Sequence, residues 1–155
     1  MRKIVINTIH GGFGLSPLAI KRYLELNGQE CYFFENNVNC TKLIPLTLEE
    51  ATKKHFFSVF TESDPESQID FNADLKELSQ EEQEEFIRTW DALTFCTSTI
   101  ERDDEKLIAV VEELQEKANG HYAFLKIIEI PDDVDWILQD YDGVEWVAEK
   151  HRIWG

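Results

Sequence analysis

The sequence predicts an α+β fold (mixed α/β), with one mixed sheet, an N-terminal β-α-β unit, two to three further helices and a C-terminal β-hairpin. Short apolar segments with strand character alternate with amphipathic segments of helical period. Near the C-terminus an Asp-Gly dipeptide separates two apolar runs, which is typical of a tight hairpin. The chain has 155 residues, of which 43% are hydrophobic. This length and composition predict a single domain spanning residues 1–155.

The first elements are predicted to form the β-α-β unit. Residues 2–7 are apolar and β-rich, and a glycine-rich turn follows them. Ser16-Pro17 supplies an N-cap and a proline at the first helical position, and Asn27-Gly28 ends the helix. Residues 31–34 are a second strand. Because a helix connects the two strands, we expect them to form a parallel pair.

The middle of the chain carries two capping boxes. Thr47 and Glu50 have the capping-box spacing, which predicts a short helix to about Lys54, and Ser79 with Glu82 predicts a second, longer helix. Four apolar residues at helical spacing support the second helix: Phe86, Ile87, Trp90 and Leu93. A turn-rich loop is expected at 36–40, a strand at 56–61 and an exposed acidic loop at 62–74.

The last third is predicted to contain a helix, a strand and the hairpin. Asp103 or Asp104 caps the helix, and a strand at 125–130 stops at Pro131. The hairpin strands, 134–141 and 144–154, flank Asp142-Gly143, whose two-residue turn fixes the register. That register pairs Tyr141 with Val144, Leu138 with Val147, Ile137 with Ala148, Asp135 with Lys150 and Asp133 with Arg152. It also sets Asp140 opposite Glu145, a like-charge pair.

Charge and cysteine content exclude several classes of protein. The formal net charge is −16, so direct binding to DNA or RNA is disfavoured. No apolar run approaches the length that spans a bilayer, and the N-terminal run stops at Asn7, too early for a signal peptide. We therefore expect a cytoplasmic protein. Cys31, Cys40 and Cys96 lack metal-site spacing and are predicted to be reduced thiols, with Cys31 and Cys96 in the core.

The glycine-rich turn is the first candidate ligand site. Glycines allow close backbone approach, and a helix N-terminus offers free N–H groups and a partial positive charge, a combination that suits a phosphate or another anion. The turn lacks the Lys-Ser/Thr ending of a Walker motif and the GxGxxG spacing, so a plain tight turn is the alternative. The candidate residues in this segment are Asn7, Gly11, Gly12, Phe13, Gly14 and Ser16.

The C-terminal strand is the second candidate site. His151 would carry a proton, Arg152 would grip a phosphate or carboxylate, and Trp154 would stack on a base. In the alternative, Arg152 pairs with Asp133 and His151 packs beside Val134. Arg102, just before a helix cap, is a further candidate anion ligand.

No metal, cofactor or catalytic residue is predicted. The acidic groups Asp132, Asp133 and Asp135, or Asp140, Asp142 and Glu145, lack a defined ligand spacing, which favours a solvated acidic hairpin. The sequence has no G-x-S-x-G motif, and no histidine is paired with a nucleophile by spacing.

Two stretches of the sequence, one near each end, carry a resemblance. They are Asn7 with Gly11-Gly12-Phe13-Gly14-Leu15-Ser16, and the tail that runs from Leu125-Lys126-Ile127-Ile128-Glu129-Ile130-Pro131-Asp132-Asp133-Val134 through Tyr141-Asp142-Gly143-Val144-Glu145-Trp146-Val147-Ala148-Glu149-Lys150-His151-Arg152. Together they resemble a family of small uncharacterised proteins from bacteriophages and prophage-bearing bacteria. The segment 102–120 resembles that family's helix before the tail. The resemblance implies an accessory role in host takeover or counter-defence, in the cytoplasm of the host cell.

The leading hypothesis is therefore a non-enzymatic, phage-type binding protein that captures a small anionic ligand such as a nucleotide signal. One alternative is an acidic inhibitor or DNA mimic that binds a host protein. Another is a small enzyme acting on a nucleotide or phosphate ester, with His151 and Glu149 as acid/base groups. No nucleic-acid or membrane partner is expected, and a homo-oligomer is left open.

Overall fold

A computed structural model describes residues 1–36, 43–70, 74–152 and 154. Its helices are α1 (Pro17–Leu26), α2 (Leu48–Thr52), α3 (Gln80–Leu93) and α4 (Glu105–Leu114). Its strands are β1 (Arg2–Asn7), β2 (Tyr32–Asn36), β3 (Leu43–Leu46), β4 (Ser58–Phe60), β5 (Leu125–Ile130), β6 (Trp136–Tyr141) and β7 (Val144–Glu149). The predicted α+β class and the C-terminal hairpin are confirmed. None of the helices in the described residues is long and apolar enough to cross a membrane.

The chain divides into two compact units. The first comprises residues 1–27 and 97–155, and the second comprises residues 28–96. The candidate residues named from the sequence all belong to the first unit.

In the first unit, β1 pairs antiparallel with β5, and α4 packs on both strands. Ile4 and Val5 are adjacent on β1 and both fully buried, so both faces of the strand are covered. The other edge of β1 is bound by the segment before α4, where the Val5 N–H donates to the Arg102 carbonyl at 2.8 Å. This bond brings Arg102 to the end of the sheet that carries the glycine-rich turn.

In the second unit, β2 is the central strand of an antiparallel sheet with the order β3-β2-β4. Phe34, Phe60 and Leu93 form its core with neighbouring apolar residues, and α3 adds the ring of Trp90 in an edge-to-face contact with Phe60. The capping boxes predicted at Thr47 and Ser79 are both formed, since each hydroxyl and each glutamate bonds the other residue's backbone N–H.

Two features of the predicted sheet are wrong. The described strands form three separate antiparallel sheets instead of one mixed sheet, and β1 and β2 do not form a parallel pair. After α1 ends, the chain enters the second unit at Gly28, where β2 finds its partners in β3 and β4. A strand, a helix and a strand therefore follow one another in the predicted order, but the two strands do not pair with each other.

The cysteine prediction is wrong for the core positions. Cys96 is exposed and Cys31 is only half-buried. Both residues lie at the borders of the second unit's elements, Cys31 just before β2 and Cys96 just after α3, where packing is incomplete. Cys40 lies outside the described residues.

Candidate functional site

Asn7, at the end of β1, has a fully buried side chain that joins three segments. Its Nδ2 donates to the Ile9 and Gly143 carbonyls, each at 2.7 Å, and its Oδ1 accepts from the Phe124 N–H at 2.8 Å. Every polar atom of this buried amide is therefore satisfied within the protein. Asn7 holds the glycine-rich turn, the start of β5 and the hairpin tip together.

Glycines at the turn and at the hairpin tip allow close approach of the backbone. A Cβ on Gly143, at the tip, would lie 2.3 Å from the Gly12 nitrogen, and a Cβ on Gly11 would lie 2.7 Å from Tyr122 Cβ. Gly11 and Gly12 also adopt φ values of +122° and +94°, in the region that favours glycine. Close packing explains Gly11 and Gly143, and the positive φ explains Gly12, without a ligand.

The N-terminus of α1 is capped by hydrogen bonds within the protein. The Ser16 hydroxyl accepts from the Ala19 N–H at 3.2 Å and donates to the Lys117 carbonyl at 2.6 Å, which confirms Ser16 as the N-cap. The Ser16 N–H donates to the Ala118 carbonyl at 2.9 Å, and the Gly14 carbonyl accepts from the Gly120 N–H at 3.0 Å. The turn thus pairs with residues 118–120 just before α1 begins.

Arg102 is occupied by three partners: the Phe13 ring, the Glu145 carboxylate and the Ile100 carbonyl, to which its Nη1 donates at 3.2 Å. Its guanidinium carbon lies 3.4 Å from the centre of the Phe13 ring, a cation–π contact. Its Nη2 donates to Glu145 Oε1 at 2.9 Å and its Nε approaches Glu145 Oε2 at 3.5 Å. The second carboxylate oxygen also accepts from the Asn7 N–H at 2.8 Å. Because the charge of Arg102 is matched by Glu145, an anionic ligand would have to compete with that carboxylate.

The hairpin has the predicted register, but in the part of the chain that the structure describes neither predicted charge pair, Asp135–Lys150 or Asp133–Arg152, forms a side-chain ion pair. Tyr141 pairs with Val144, Leu138 with Val147, Ile137 with Ala148 and Asp140 with Glu145, as the two-residue turn requires. The Lys150 N–H donates to the Asp135 carbonyl at 2.8 Å, so the pairing extends one residue beyond β7. The prediction of an Asp133–Arg152 ion pair is wrong: both residues are described and exposed, and no ion pair joins their side chains. The strand ends at Glu149, before it reaches Arg152.

The remaining candidates of the C-terminal strand lie beyond its end. His151, Arg152 and Trp154 are all exposed, and Trp154 is 87% exposed. They make none of the contacts that join Asn7, Phe13 and Arg102. The structure therefore brings together the candidates of the glycine turn with Arg102, and leaves the three C-terminal ones outside this cluster.

Glu145 is a residue of this site whose role the sequence did not reveal. It is 8% exposed, whereas its cross-strand partner Asp140 is exposed to solvent. The repulsion expected between Asp140 and Glu145 is therefore relieved by a cation, Arg102, that lies 43 residues from Glu145 in the sequence. The like charges themselves were the available signal, because two opposed carboxylates favour a nearby cation.

The hairpin also has an apolar face that the sequence analysis did not single out. Directly paired residues share a face, so Glu145 lies on the inner face, toward Arg102. The outer face consists of Ile137, Gln139, Tyr141, Val144, Trp146 and Ala148. Ile137, Tyr141 and Trp146 are 36%, 73% and 42% exposed. The indole N–H of Trp146 donates to Gln139 Oε1 at 3.0 Å across the strands, which fixes the orientation of the ring.

Exposed acidic side chains lie on both faces and at both ends of the hairpin. The acidic rim consists of four of them: Asp135 and Asp142 near the two ends of the outer face, and Asp140 and Glu149 on the inner face. In the part of the chain that the structure describes, no three histidine, cysteine or carboxylate side chains come together as a metal site would require. The acidic rim is thus a dispersed set of negative charges on a hairpin whose outer face is apolar.

Comparison with known proteins does not assign this chain to a family. No protein-family model, no curated protein and no solved structure matches the chain. The resemblance to bacteriophage proteins stays a prediction.

Proposed function

We propose that the protein acts by binding a basic protein partner through the outer face of its C-terminal hairpin. The observation that carries this proposal is the outer face itself, where Ile137, Tyr141 and Trp146 are exposed on the same face of two paired strands. Contiguous exposed apolar surface rimmed by polar residues is typical of protein interaction sites. Tyrosine and tryptophan are also the residues that contribute most to binding energy in interfaces.

The charge of the chain defines the chemistry of the partner. The acidic rim lies within a molecule whose formal net charge is −16. Complementary charge steers partners together and suppresses contact with surfaces of the same sign. A partner with an apolar surface and with lysine and arginine residues beside it fits this hairpin best.

Small-anion capture has less support from the contacts. Arg102 already pairs with Glu145, and Ser16 already caps α1. An anion at the glycine-rich turn would have to displace a carboxylate that the Asn7 N–H also binds. For this reason we rank the small anionic ligand second. The enzymatic alternative has no described contact between His151 and another catalytic group.

The resemblance to bacteriophage proteins extends the proposal to a role. If the chain is a phage accessory protein, its basic partner is a protein of the bacterial host, and binding serves host takeover or counter-defence. A bacterial lysate is therefore the sample in which to look for the partner.

The test is a comparative capture experiment with the full chain and two variants. Trp146→Asp places a charge in the outer face, and Phe56→Asp places the same charge at a residue of the second unit that is 85% exposed. We expect the wild type and Phe56→Asp to retain one basic bacterial protein at low salt, and Trp146→Asp to lose it. The captured protein is then identified, purified and titrated against all three chains.

Salt provides the second arm of the test. Complementary charge predicts that the affinity falls steeply as the salt concentration rises, because exposed ion pairs are screened. Equal capture by Trp146→Asp and the wild type, or an affinity that does not change with salt, would overturn the proposal.

A further inference from the structure

The hairpin carries a second exposed feature besides its outer face, namely the free edge of β6. Within the described residues, β6 and β7 form a sheet of two strands, and β6 pairs with no other strand. A strand edge that stays open is a template for pairing with another chain. The edge of β6 is therefore available for pairing with an added strand.

The register shows which backbone groups point outward from this edge. A two-residue turn places Tyr141 and Val144 in a hydrogen-bonded pair, and such pairs recur at every second residue. The bond from the Lys150 N–H to the Asp135 carbonyl, at 2.8 Å, fits this alternation, because Asp135 lies an even number of residues before Tyr141. The N–H and C=O groups of Trp136, Leu138 and Asp140 therefore point away from β7, toward the open edge.

The edge has only one of the features by which proteins normally block strand addition. Natural edges are protected by charged side chains, proline, bulges or very short strands. β6 is six residues long, reads Trp-Ile-Leu-Gln-Asp-Tyr, and pairs with β7 in continuous register. Its single charged residue, Asp140, is acidic, so it would attract a basic segment while it repels an acidic one.

We propose that an extended, basic segment of the partner adds to the edge of β6 as a third strand. This inference rests on the proposed function and names its mode of recognition. Main-chain hydrogen bonds to Trp136, Leu138 and Asp140 would fix the register. Alternate side chains of the added strand would extend the apolar outer face beside Ile137 and Tyr141, and the intervening lysine or arginine residues would reach the acidic rim.

The charge of the chain favours a basic partner over a second copy of this chain at the edge of β6. Two copies joined along β6 would bring together two acidic rims and two net charges of −16. Like charges across an interface disfavour association, whereas a basic segment gains from the same rim. The occupant is therefore a segment of positive charge.

The probe is a library of random extended peptides, displayed and selected on the immobilised full chain at low salt. We expect the enriched peptides to alternate β-branched or aromatic residues with lysine or arginine, the period of a strand. Enrichment of peptides without this alternation, or no enrichment, would overturn strand addition.

A matched pair of variants then tests the backbone bonds with one enriched peptide. Asp140→Pro removes an outward N–H while the bonds to β7 at Gln139 and Tyr141 remain, and proline is tolerated at such edge positions. Asp140→Ala removes the same carboxylate and keeps the N–H. We expect Asp140→Pro to bind about tenfold more weakly than Asp140→Ala, the loss that corresponds to one hydrogen bond.

Hydrogen exchange tests the same bonds in the wild type and does not depend on how the proline variant folds. The peptide should slow exchange of the Trp136, Leu138 and Asp140 amides. Equal affinities of the two variants, without protection of these amides, would overturn strand addition. So would sedimentation of the free chain as a dimer in which these amides are already protected.

Trp146→Asp separates this inference from the proposed function. If Trp146→Asp abolishes capture of the protein partner while Asp140→Pro and Asp140→Ala behave alike, binding through the outer face stands and strand addition falls. If Trp146→Asp has no effect on that capture, the proposed function falls as well.

Discussion

Arg102 and Glu145 form an ion pair that is almost completely withdrawn from solvent, with side chains only 13% and 7% exposed and a shortest separation of 2.9 Å. The pair joins the segment before α4 to β7. Because Glu145 also accepts from the Asn7 N–H, the same carboxylate connects the hairpin to β1. The glycine-rich turn, the hairpin and the segment before α4 are thus one connected structure.

The first prediction concerns the stability of this pair. Arg102→Met leaves the Glu145 carboxylate buried with only the Asn7 N–H as a described partner. Breaking a buried pair on one side costs about 3–5 kcal/mol of unfolding free energy. We expect a loss of this size in urea unfolding followed by the amide NMR signals of β1 and β7.

Two comparisons make that prediction specific. The double variant Arg102→Met with Glu145→Gln should recover much of the loss, because the amide oxygen still accepts from the Asn7 N–H and no charge stays buried. Arg22→Met breaks the exposed pair with Glu113 and should change little. A loss for Arg102→Met no larger than that for Arg22→Met would contradict the argument.

The second prediction concerns Asn7. Asn7→Asp keeps the size of the side chain but replaces a donor to the Ile9 and Gly143 carbonyls with an acceptor. Two partly buried carbonyls lose a donor, and a carboxylate takes the place of the buried amide, so we expect a destabilisation of about 3 kcal/mol. Thermal unfolding at several pH values checks this. Acidification should reduce the deficit, because a neutral carboxyl can donate one hydrogen bond, and a deficit that is constant with pH would disagree.

The third prediction concerns the hairpin tip. Gly143 has a φ of +83°, and an added Cβ would meet the Gly12 nitrogen at 2.3 Å, whereas a Cβ on Gly12 itself has open space at a φ of +94°. Gly12→Ala therefore reports backbone strain alone, about 1–2 kcal/mol. Gly143→Ala adds a clash of backbone with backbone and should lower the melting temperature clearly further. Equal melting temperatures would mean that the tip moves away from the turn at no cost.

The elements that were predicted correctly depend on residues close in sequence. The caps at Ser16, Thr47 and Ser79 each join a side chain to a backbone N–H three residues on, so the spacing alone reveals them. The hairpin register follows in the same way from the two-residue turn. These signals are strong because no tertiary contact is needed to satisfy them.

The features that were missed depend on distant residues or on weak local patterns. The β1–β5 pairing and the Arg102–Glu145 contact join parts of the chain that only the tertiary fold brings together. β3 has four residues and contains Pro45, a residue that argues against a strand unless it lies at an edge, as it does here.

The outer face could have been predicted from the same register. Ile137 precedes Leu138, and Trp146 precedes Val147, so both faces of the hairpin are apolar. A hairpin that packs one face on the core exposes the other. The alternation of residues along the hairpin is therefore a sequence signal for an exposed apolar surface.

The fourth prediction addresses the small-anion hypothesis. Glu145→Gln removes the carboxylate that competes for Arg102, so pyrophosphate or ATP should raise the melting temperature of this variant more than that of the wild type. Glu113→Gln removes the same amount of charge beside the exposed Arg22 and serves as the control. Equal shifts in all three proteins would show that the anion does not contact Arg102.

The fifth prediction concerns the acid sensitivity of α3. The pKa of Glu82 is lowered from its ordinary value of 4.5, chiefly because the carboxylate accepts from the Ser79 backbone N–H at 2.8 Å, and also through the Ser79 side chain. A lowered pKa means that the folded state favours the charged form. The contribution of Glu82 to stability is therefore complete above pH 4.5 and is lost as the pH falls through the lowered value.

Glu82→Gln tests this dependence, because it removes the titration and keeps an oxygen that can accept from the Ser79 N–H. We expect amide exchange in the first turn of α3 to accelerate on acidification in the wild type more than in the variant, after correction for intrinsic rates. Glu50 accepts from the Thr47 N–H at 2.7 Å in the same way, so Glu50→Gln should have the same effect at the start of α2. Identical acid responses of wild type and variants would show that the two capping boxes do not contribute through the charge of their glutamates.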